Sequence, residues 1–147
     1  MYRKVLVAYD GSASADAALR AALDLSRSAP ELTLATLAVE PDALPFAARS
    51  DEIAELECDG QVACERLQAR AVAEGAQRGV RVTTMVATGD PAEQIVHCAQ
   101  EGNFDLIILG RKHHSRVREY AGGTTVEHVL RHASCDVLIA HADVRLS

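Results

Sequence analysis

The hydrophobic positions of this chain form five short apolar runs, and each run is separated from the next by a longer segment with helical spacing. Runs of this length, rich in aliphatic side chains, are typical of buried parallel strands. The alternation predicts one α/β fold, a five-stranded parallel sheet with right-handed crossovers and helices on both faces. The predicted strands are Lys4–Tyr9, Leu32–Val39, Arg81–Ala87, Leu106–Leu109 and Val137–Ala140.

The intervening segments contain residues that are typical of helix N-termini. Ser12 or Ser14 can cap the first helix, and Asp90, followed by Pro91 and Glu93, has the pattern of a capped third helix. The second helix is predicted from about Asp51 to Arg78. Its predicted apolar stripe is Ile53, Leu56, Gly60, Ala63, Cys64, Leu67 and Ala71, and its water-facing charges are Glu52, Glu55, Glu57, Glu65, Arg66 and Arg70.

The fourth predicted strand is followed by a long cationic loop. We expect Gly110 to end the strand, and Thr124 has capping-box spacing with Glu127 ahead of the last helix. A cationic loop that leads into a glycine-rich helix start suits a phosphate, because backbone N–H groups and the helix dipole point at the anion. The alternative is a solvated basic surface loop. The loop carries the cationic side chains of Arg111, Lys112, Arg116 and Arg118, together with His113 and His114.

Asp10 follows the first strand directly, in the sequence Asp10–Gly11–Ser12. The carboxyl ends of strands are where open α/β sheets place ligands, so Asp10 is a candidate binding residue. As a residue type it serves equally well in a turn or a helix cap. The residues alone leave both roles open.

Several of these segments together resemble the universal stress protein family. The spacing Gly110-x2-His113-x9-Gly123-Thr124 is similar to the family's nucleotide-binding signature, Gly-x2-Gly-x9-Gly-Ser/Thr. VLVAYDGS at residues 5–12, TGDPAEQI at 88–95 and VEHVLRHASCDVLIA at 126–140 extend the resemblance over nearly the whole chain. One position departs from the signature, because His113 stands where the family has its second glycine.

The resemblance implies the sheet order 3-2-1-4-5, an adenine-nucleotide α-hydrolase-like fold and a single domain over residues 1–147. It implies an ATP or AMP site between strands one and four, with Asp10 near the nucleotide and available to assist a Mg²⁺ ion. The backbone of Val39 would face the adenine. The phosphates would approach the strand end at Gly110 and meet Arg111, His113, Gly123, Thr124 and Thr125. Any ATP hydrolysis would be slow, since the sequence has no Walker lysine motif.

His113 keeps a second function open, a nucleotide-free signalling or interaction dimer of the same family. A histidine adds a side chain where glycine lets the backbone approach phosphate. We therefore expect nucleotide binding to survive in a weakened form. A homodimer through Val137–Ala140 is expected in both cases, because an exposed apolar edge invites pairing and similar proteins pair there.

Charge and composition exclude several other classes. A net charge of −6 over 147 residues argues against general nucleic-acid or anionic-membrane binding, and no apolar run has the length of a membrane span. We expect a cytoplasmic protein with buried, reduced thiols at Cys58, Cys64, Cys98 and Cys135. His128 and His132, with Cys135 nearby, have metal-ligand spacing, but a fourth ligand is missing, so we expect no metal site.

Overall fold

The computed structural model describes residues 1–40, 50–111 and 125–141, and the side chains of residues 50–61 are outside the description. Strands and helices alternate along the described chain. They are β1 Lys4–Ala8, α1 Ala13–Ser28, β2 Thr33–Glu40, α2 Ser50–Gln77, β3 Val82–Thr88, α3 Pro91–Glu101, β4 Leu106–Arg111, α4 Thr125–His132 and β5 Asp136–His141.

All five strands are parallel and lie in the order β3-β2-β1-β4-β5, which confirms the predicted fold and strand order. β1 therefore pairs with β2 on one side and with β4 on the other. The order reverses between β1 and β4, and this is the switch point at which such sheets place ligands.

The helices cover both faces of the sheet, as predicted. Val5 and Val7 of β1 face α1 and α2, whereas Leu6 of β1 faces α3 and α4. Side chains of a strand alternate between the two faces, and both faces of the sheet are covered at its centre. The buried central positions of β1 and β4 are therefore apolar. The two edge strands, β3 and β5, alternate instead between covered and exposed positions.

Strand β4 is longer than predicted. Gly110 does not end it, since Gly110 pairs with Ala140 and Arg111 pairs with His141. A glycine breaks a strand only where the backbone turns, and here the ladder to β5 continues through it. β4 consequently carries Arg111 to the rim of the sheet.

The buried face of α2 differs from the predicted stripe. Ala63 is exposed, whereas Gln68 is buried beside Cys64 and Ala71. The Gln68 amide donates to the Met85 carbonyl at 2.6 Å, and its Oε1 accepts from the Thr36 hydroxyl at 2.5 Å. A polar residue can occupy a helix's buried face when every group has a partner, which an apolar-stripe pattern does not anticipate.

The predicted helix starts are confirmed where the structure describes them. Ser12 caps α1, accepting from Ala15 N at 3.2 Å, and Asp90 caps α3, accepting from Glu93 N at 3.1 Å. The predicted cap of α4, Thr124, lies outside the described residues. Within the described part of the chain, no helix has the length and apolarity to cross a membrane.

Candidate functional site

A crevice opens at the carboxyl ends of β1 and β4, at the switch point of the sheet. Its volume is about 180 Å³. Pockets that enclose a whole small molecule typically measure about 300–1,000 Å³, so the crevice formed by the described residues is smaller than such a pocket. The crevice is lined by Ala8, Tyr9, Asp10, Ser12, Ser14, Ala15, Leu37, Val39, Pro91, Ile95, Leu109, Gly110, Thr125 and Val126.

One wall of the crevice is apolar. Leu37 and Leu109 belong to the cluster between the sheet and α3/α4, with Val39 and Val126 packed against it. Ile95 of α3 closes this side and is 2% exposed. Such a wall suits a flat apolar group, because the group can exclude water from the wall without forming hydrogen bonds.

The opposite side is polar and is built by the turn between β1 and α1. Asp10 Oδ1 accepts from Ser12 N at 3.0 Å, and Gly11 between them has a φ of +80°. That positive φ is available to glycine at little cost, which explains the residue at this position. The Ser12 and Ser14 hydroxyls lie 3.1 Å apart at the start of α1. The turn therefore presents a carboxylate and two hydroxyls beside the apolar wall.

Tyr9 is buried beneath this turn and connects it to α1. Its hydroxyl donates to Asp16 Oδ1 at 2.7 Å, and its backbone N–H donates to the Leu37 carbonyl at 2.9 Å. Burial, together with the hydrogen bond to Asp16, raises the pKa of Tyr9 to about 12, although the nearby Arg70 guanidinium lowers it. Tyr9 is therefore a neutral hydrogen-bond donor at physiological pH.

Gly110 is required by the packing of β4 against the start of α1. A Cβ at this position would overlap the Ser14 carbonyl and lie 2.8 Å from Ser14 Cβ. β4 and the first turn of α1 therefore approach each other backbone to backbone. The sequence-based interpretation, that Gly110 admits a nucleotide, is not needed to explain the glycine.

The structure brings together four of the eight predicted site residues, since Asp10, Val39, Gly110 and Thr125 all line the crevice. Arg111 is exposed at the end of β4 and is not among the lining residues. Thr125 is the first residue of α4, whose N-terminus therefore faces the crevice. The remaining three, His113, Gly123 and Thr124, lie outside the described residues.

Sequence reasoning missed several lining residues, among them Tyr9, Ser14 and Ile95. Tyr9 carries a recoverable signal, because a phenol in an otherwise aliphatic strand needs a polar partner when it is buried. Ile95 lies at an apolar position of α3, and helical periodicity predicts only that such a position faces the sheet. Helical periodicity does not indicate how far along the strands α3 lies, and so it does not place Ile95 at the crevice.

The histidine pair on α4 forms a stack rather than a chelating pair. The rings of His128 and His132 stack with centroids 4.3 Å apart, and His132 Nδ1 lies 3.0 Å from the His128 carbonyl. Among the described residues, no three histidine, cysteine or acidic side chains are grouped as metal ligands.

The described cysteines only partly match the expectation. Cys64 is buried as predicted, whereas Cys98 and Cys135 are half-buried, and all three are free thiols. Burial raises the pKa of each of these thiols. The side chain of Cys58 lies outside the described residues.

Known proteins match this chain over most of its length. The sequence profile of the universal stress protein family matches residues 1–141. Universal stress protein YxiE of Bacillus subtilis is 31% identical over 147 aligned positions, gaps included, and the match covers 95% of this chain and 99% of YxiE. The structure of universal stress protein UspA from Lactobacillus plantarum superposes with a TM-score of 0.79 at 25% identity, covering 95% of this chain and 97% of that one.

A third similar protein is a universal stress protein family member from Arabidopsis thaliana, whose structure has AMP bound. Its TM-score is 0.72 at 20% identity, with 97% of this chain and 93% of that chain covered. At this identity the likeness shows the fold alone. Because the family profile spans nearly the whole chain and a relative matches end to end, this protein belongs to the universal stress protein family.

Proposed function

We propose that this protein binds an adenine nucleotide, ATP or AMP, in the crevice between β1 and β4 and acts as a regulatory dimer in a stress response. The observation that carries the proposal is the two-sided crevice at the switch point. An apolar wall suits the adenine ring, and the polar turn beside it suits a ribose. The N-terminus of α4, which begins at Thr125, suits the phosphates through its backbone N–H groups and dipole.

The nucleotide itself is suggested by the family. The Arabidopsis relative has AMP bound, but the low identity means that this chain's own crevice must support the assignment. We assign adenine to the space between Val39 and Ile95, and the sugar to the side of Asp10. Hydrolysis, if present, is expected to be slow.

Filling the crevice tests this proposal. Val39→Tyr places a bulky ring in the adenine space, and we expect equilibrium dialysis with labelled AMP and ATP to show at least about a tenfold loss of affinity. Val86→Tyr is the matched control, because Val86 is an exposed valine on the neighbouring strand β3 and does not line the crevice. Equal binding by both variants, or none by the wild-type protein, would contradict the proposal.

The phosphate end is tested by His113, which lies outside the described residues. Obstruction of a close phosphate contact costs about 1–3 kcal/mol, the scale of an unmade buried hydrogen bond. An exposed charge recovers about 1 kcal/mol or less. His113→Gly should therefore tighten ATP binding more than AMP binding, and Gly123→Val should abolish both. Weaker ATP binding by His113→Gly would instead identify the histidine as a phosphate ligand.

We place the dimer contact on β5. Within the described sheet this strand pairs with β4 alone, and the Leu138 side chain is 40% exposed on it. An unpaired apolar edge favours pairing, and a two-fold contact between copies is self-complementary. Light scattering should give a dimer mass for the wild-type protein and a monomer mass for Leu138→Glu.

Val86→Glu, on the opposite edge strand, is the control for Leu138→Glu and should remain dimeric. A monomeric wild-type protein at micromolar concentration would rule out the β5 dimer. If the dimer forms but no nucleotide binds, the second function applies, that of a nucleotide-free signalling or interaction dimer. The specific observation in its favour is that packing against Ser14 accounts for Gly110 without a ligand.

A further inference from the structure

Helix α2 contacts the turn that carries Asp10. A Cβ at Gly11 would overlap the Leu67 side chain and would lie 3.4 Å from Arg70 Nη1. Gly11 therefore sits directly against α2, and its backbone leaves space for both side chains. The turn thus follows β1 directly and packs against α2 on one side.

Arg70 also reaches the turn through Asp16. Its Nη2 lies 3.6 Å from Asp16 Oδ1, and the same carboxylate oxygen accepts the Tyr9 hydroxyl at 2.7 Å. Asp16 belongs to the first turn of α1, and its backbone N–H donates to the Ser12 carbonyl at 2.9 Å. One carboxylate thus connects the strand end, the start of α1 and α2.

We propose that Arg70 is a positioning residue for the crevice: through Asp16 and Gly11 it fixes the Asp10–Ser12 turn, so that Asp10 meets a nucleotide without reorganisation of the turn. The inference rests on the proposed nucleotide binding for its functional consequence. A residue that preorganises a binding group raises affinity by lowering the cost of ordering it. Arg70 acts through the turn, since it is not among the residues that line the crevice.

The same helix pair provides a matched control. Arg78 Nη1 lies 3.6 Å from Asp24 Oδ1, the same distance as in the Arg70–Asp16 pair. Asp24 is eight residues further along α1, which is roughly 12 Å at 1.5 Å per residue. Arg78 directly follows α2, and its Nη2 also lies 3.9 Å from Glu74 Oε1. The Arg78 pairs therefore connect the far ends of α1 and α2, away from the turn, and a variant at Arg78 separates helix docking from positioning of Asp10.

The experiment compares Arg70→Ala, Arg70→Lys and Arg78→Ala in the full chain with two readouts. The first is hydrogen exchange of the Ser12 and Ala15 amides by NMR, which reports the order of the turn whether or not a nucleotide binds. The second is AMP affinity by calorimetry. Arg70→Ala should accelerate exchange, because the turn loses a contact that orders it. It should weaken AMP binding by only about two- to fivefold, because exposed ion pairs contribute little. Arg70→Lys, which retains the charge opposite Asp16, should recover most of both effects.

Arg78→Ala should lower the urea midpoint of unfolding at least as much as Arg70→Ala, because Arg78 forms two ion pairs, and it should leave both readouts unchanged. If the wild-type protein binds no AMP while Arg70→Ala still accelerates exchange, the proposed nucleotide binding fails and the positioning of the turn stands. The positioning role is overturned if Arg70→Ala leaves the exchange rates unchanged. It is also overturned if the wild-type protein binds AMP and Arg70→Ala accelerates exchange without weakening that binding. It is also overturned if Arg78→Ala weakens AMP equally.

Discussion

The two faces of the sheet hold their helices in different ways. The buried serine, threonine and glutamine side chains of the described residues lie on the α1/α2 face, as does the buried Tyr9 phenol. They are Ser14, Ser26, Thr36 and Gln68. The α3/α4 face is packed by an apolar cluster that includes Leu6, Ile95, Ile107 and Val129. One face thus combines packing with directional hydrogen bonds, and the other relies on non-directional burial.

The crevice forms where these two kinds of surface meet. Its apolar wall, with Val39 and Ile95, continues the α3/α4 cluster, whereas Asp10, Ser12 and Ser14 belong to the α1 side. A ligand that has a flat apolar part and a polar part fits such a junction. The contrast between the faces therefore explains why the site has two chemically different sides.

The largest effects should come from loss of packing, and they should be alike on the two faces. Ile107 and Ile108 are adjacent in β4, point to opposite faces and are both fully buried. Ile107→Ala and Ile108→Ala should each lower the free energy of unfolding by about 2–5 kcal/mol. Urea denaturation measures both, and a clearly smaller cost for Ile107→Ala would show that the α3/α4 face is not a fully packed core.

A smaller loss is expected from the buried amide on the α1/α2 face. Gln68→Leu removes the partner of the Thr36 hydroxyl and the donor to the Met85 carbonyl, which should cost about 1–3 kcal/mol. Adding Thr36→Val should recover part of the loss, because it removes the stranded hydroxyl. Additive destabilisation in the double variant would mean that the two side chains do not act as a pair.

The buried phenol predicts a pH effect at the same face. The folded-state pKa of Tyr9 is raised to about 12 from a usual value of 10.0, so the folded protein holds this proton more tightly than the unfolded chain. The corresponding stability is fully present below pH 10 and is lost as the pH rises from 10 through 12. Urea midpoints between pH 9 and pH 12 should fall less steeply for Tyr9→Phe, and parallel profiles for the two proteins would contradict the assignment.

The smallest effect is expected at Ser26, which is also on the polar face. Its buried hydroxyl has no hydrogen-bond partner among the described residues. Ser26→Ala removes that unsatisfied group with little change in volume, so thermal unfolding should show no loss of stability or a gain of about 0.5 kcal/mol. A loss above about 1 kcal/mol would reveal a partner for the hydroxyl. Ser14→Ala, which removes the contact with Ser12, should be destabilising by comparison.

The sequence predicts the interior of the fold well and its polar contacts poorly. The runs around Val5 and Ile107 form the buried centres of β1 and β4, and burial on both faces leaves a continuous apolar pattern that is easily recognised. Strand order needed the family resemblance, because the alternation of strands and helices is the same for several topologies. Gln68 was missed because its partners, Thr36 and Met85, come from distant parts of the chain.

The candidate site shows the same division. Asp10 was predicted because it follows a strand, and Gly110 because it was expected to end one, since strand ends meet at one edge of a parallel sheet. Gly110 lies at that edge although β4 continues through it to Arg111. Arg70 was assigned to a solvated face, and it is indeed 57% exposed, yet its head group meets Asp16. A helical pattern indicates the direction in which a side chain leaves the helix axis. It does not indicate which residue of another element that side chain contacts.

The most direct test of the account is an NMR titration of the uniformly labelled protein with AMP. We predict that the largest shifts occur at the crevice, at Asp10, Ser12, Val39, Gly110 and Thr125. Val86 on the sheet edge and Arg78, which directly follows α2, should not respond. Shifts concentrated outside the crevice, or the absence of any saturable shift at millimolar AMP, would contradict the central claim that this crevice is a nucleotide site.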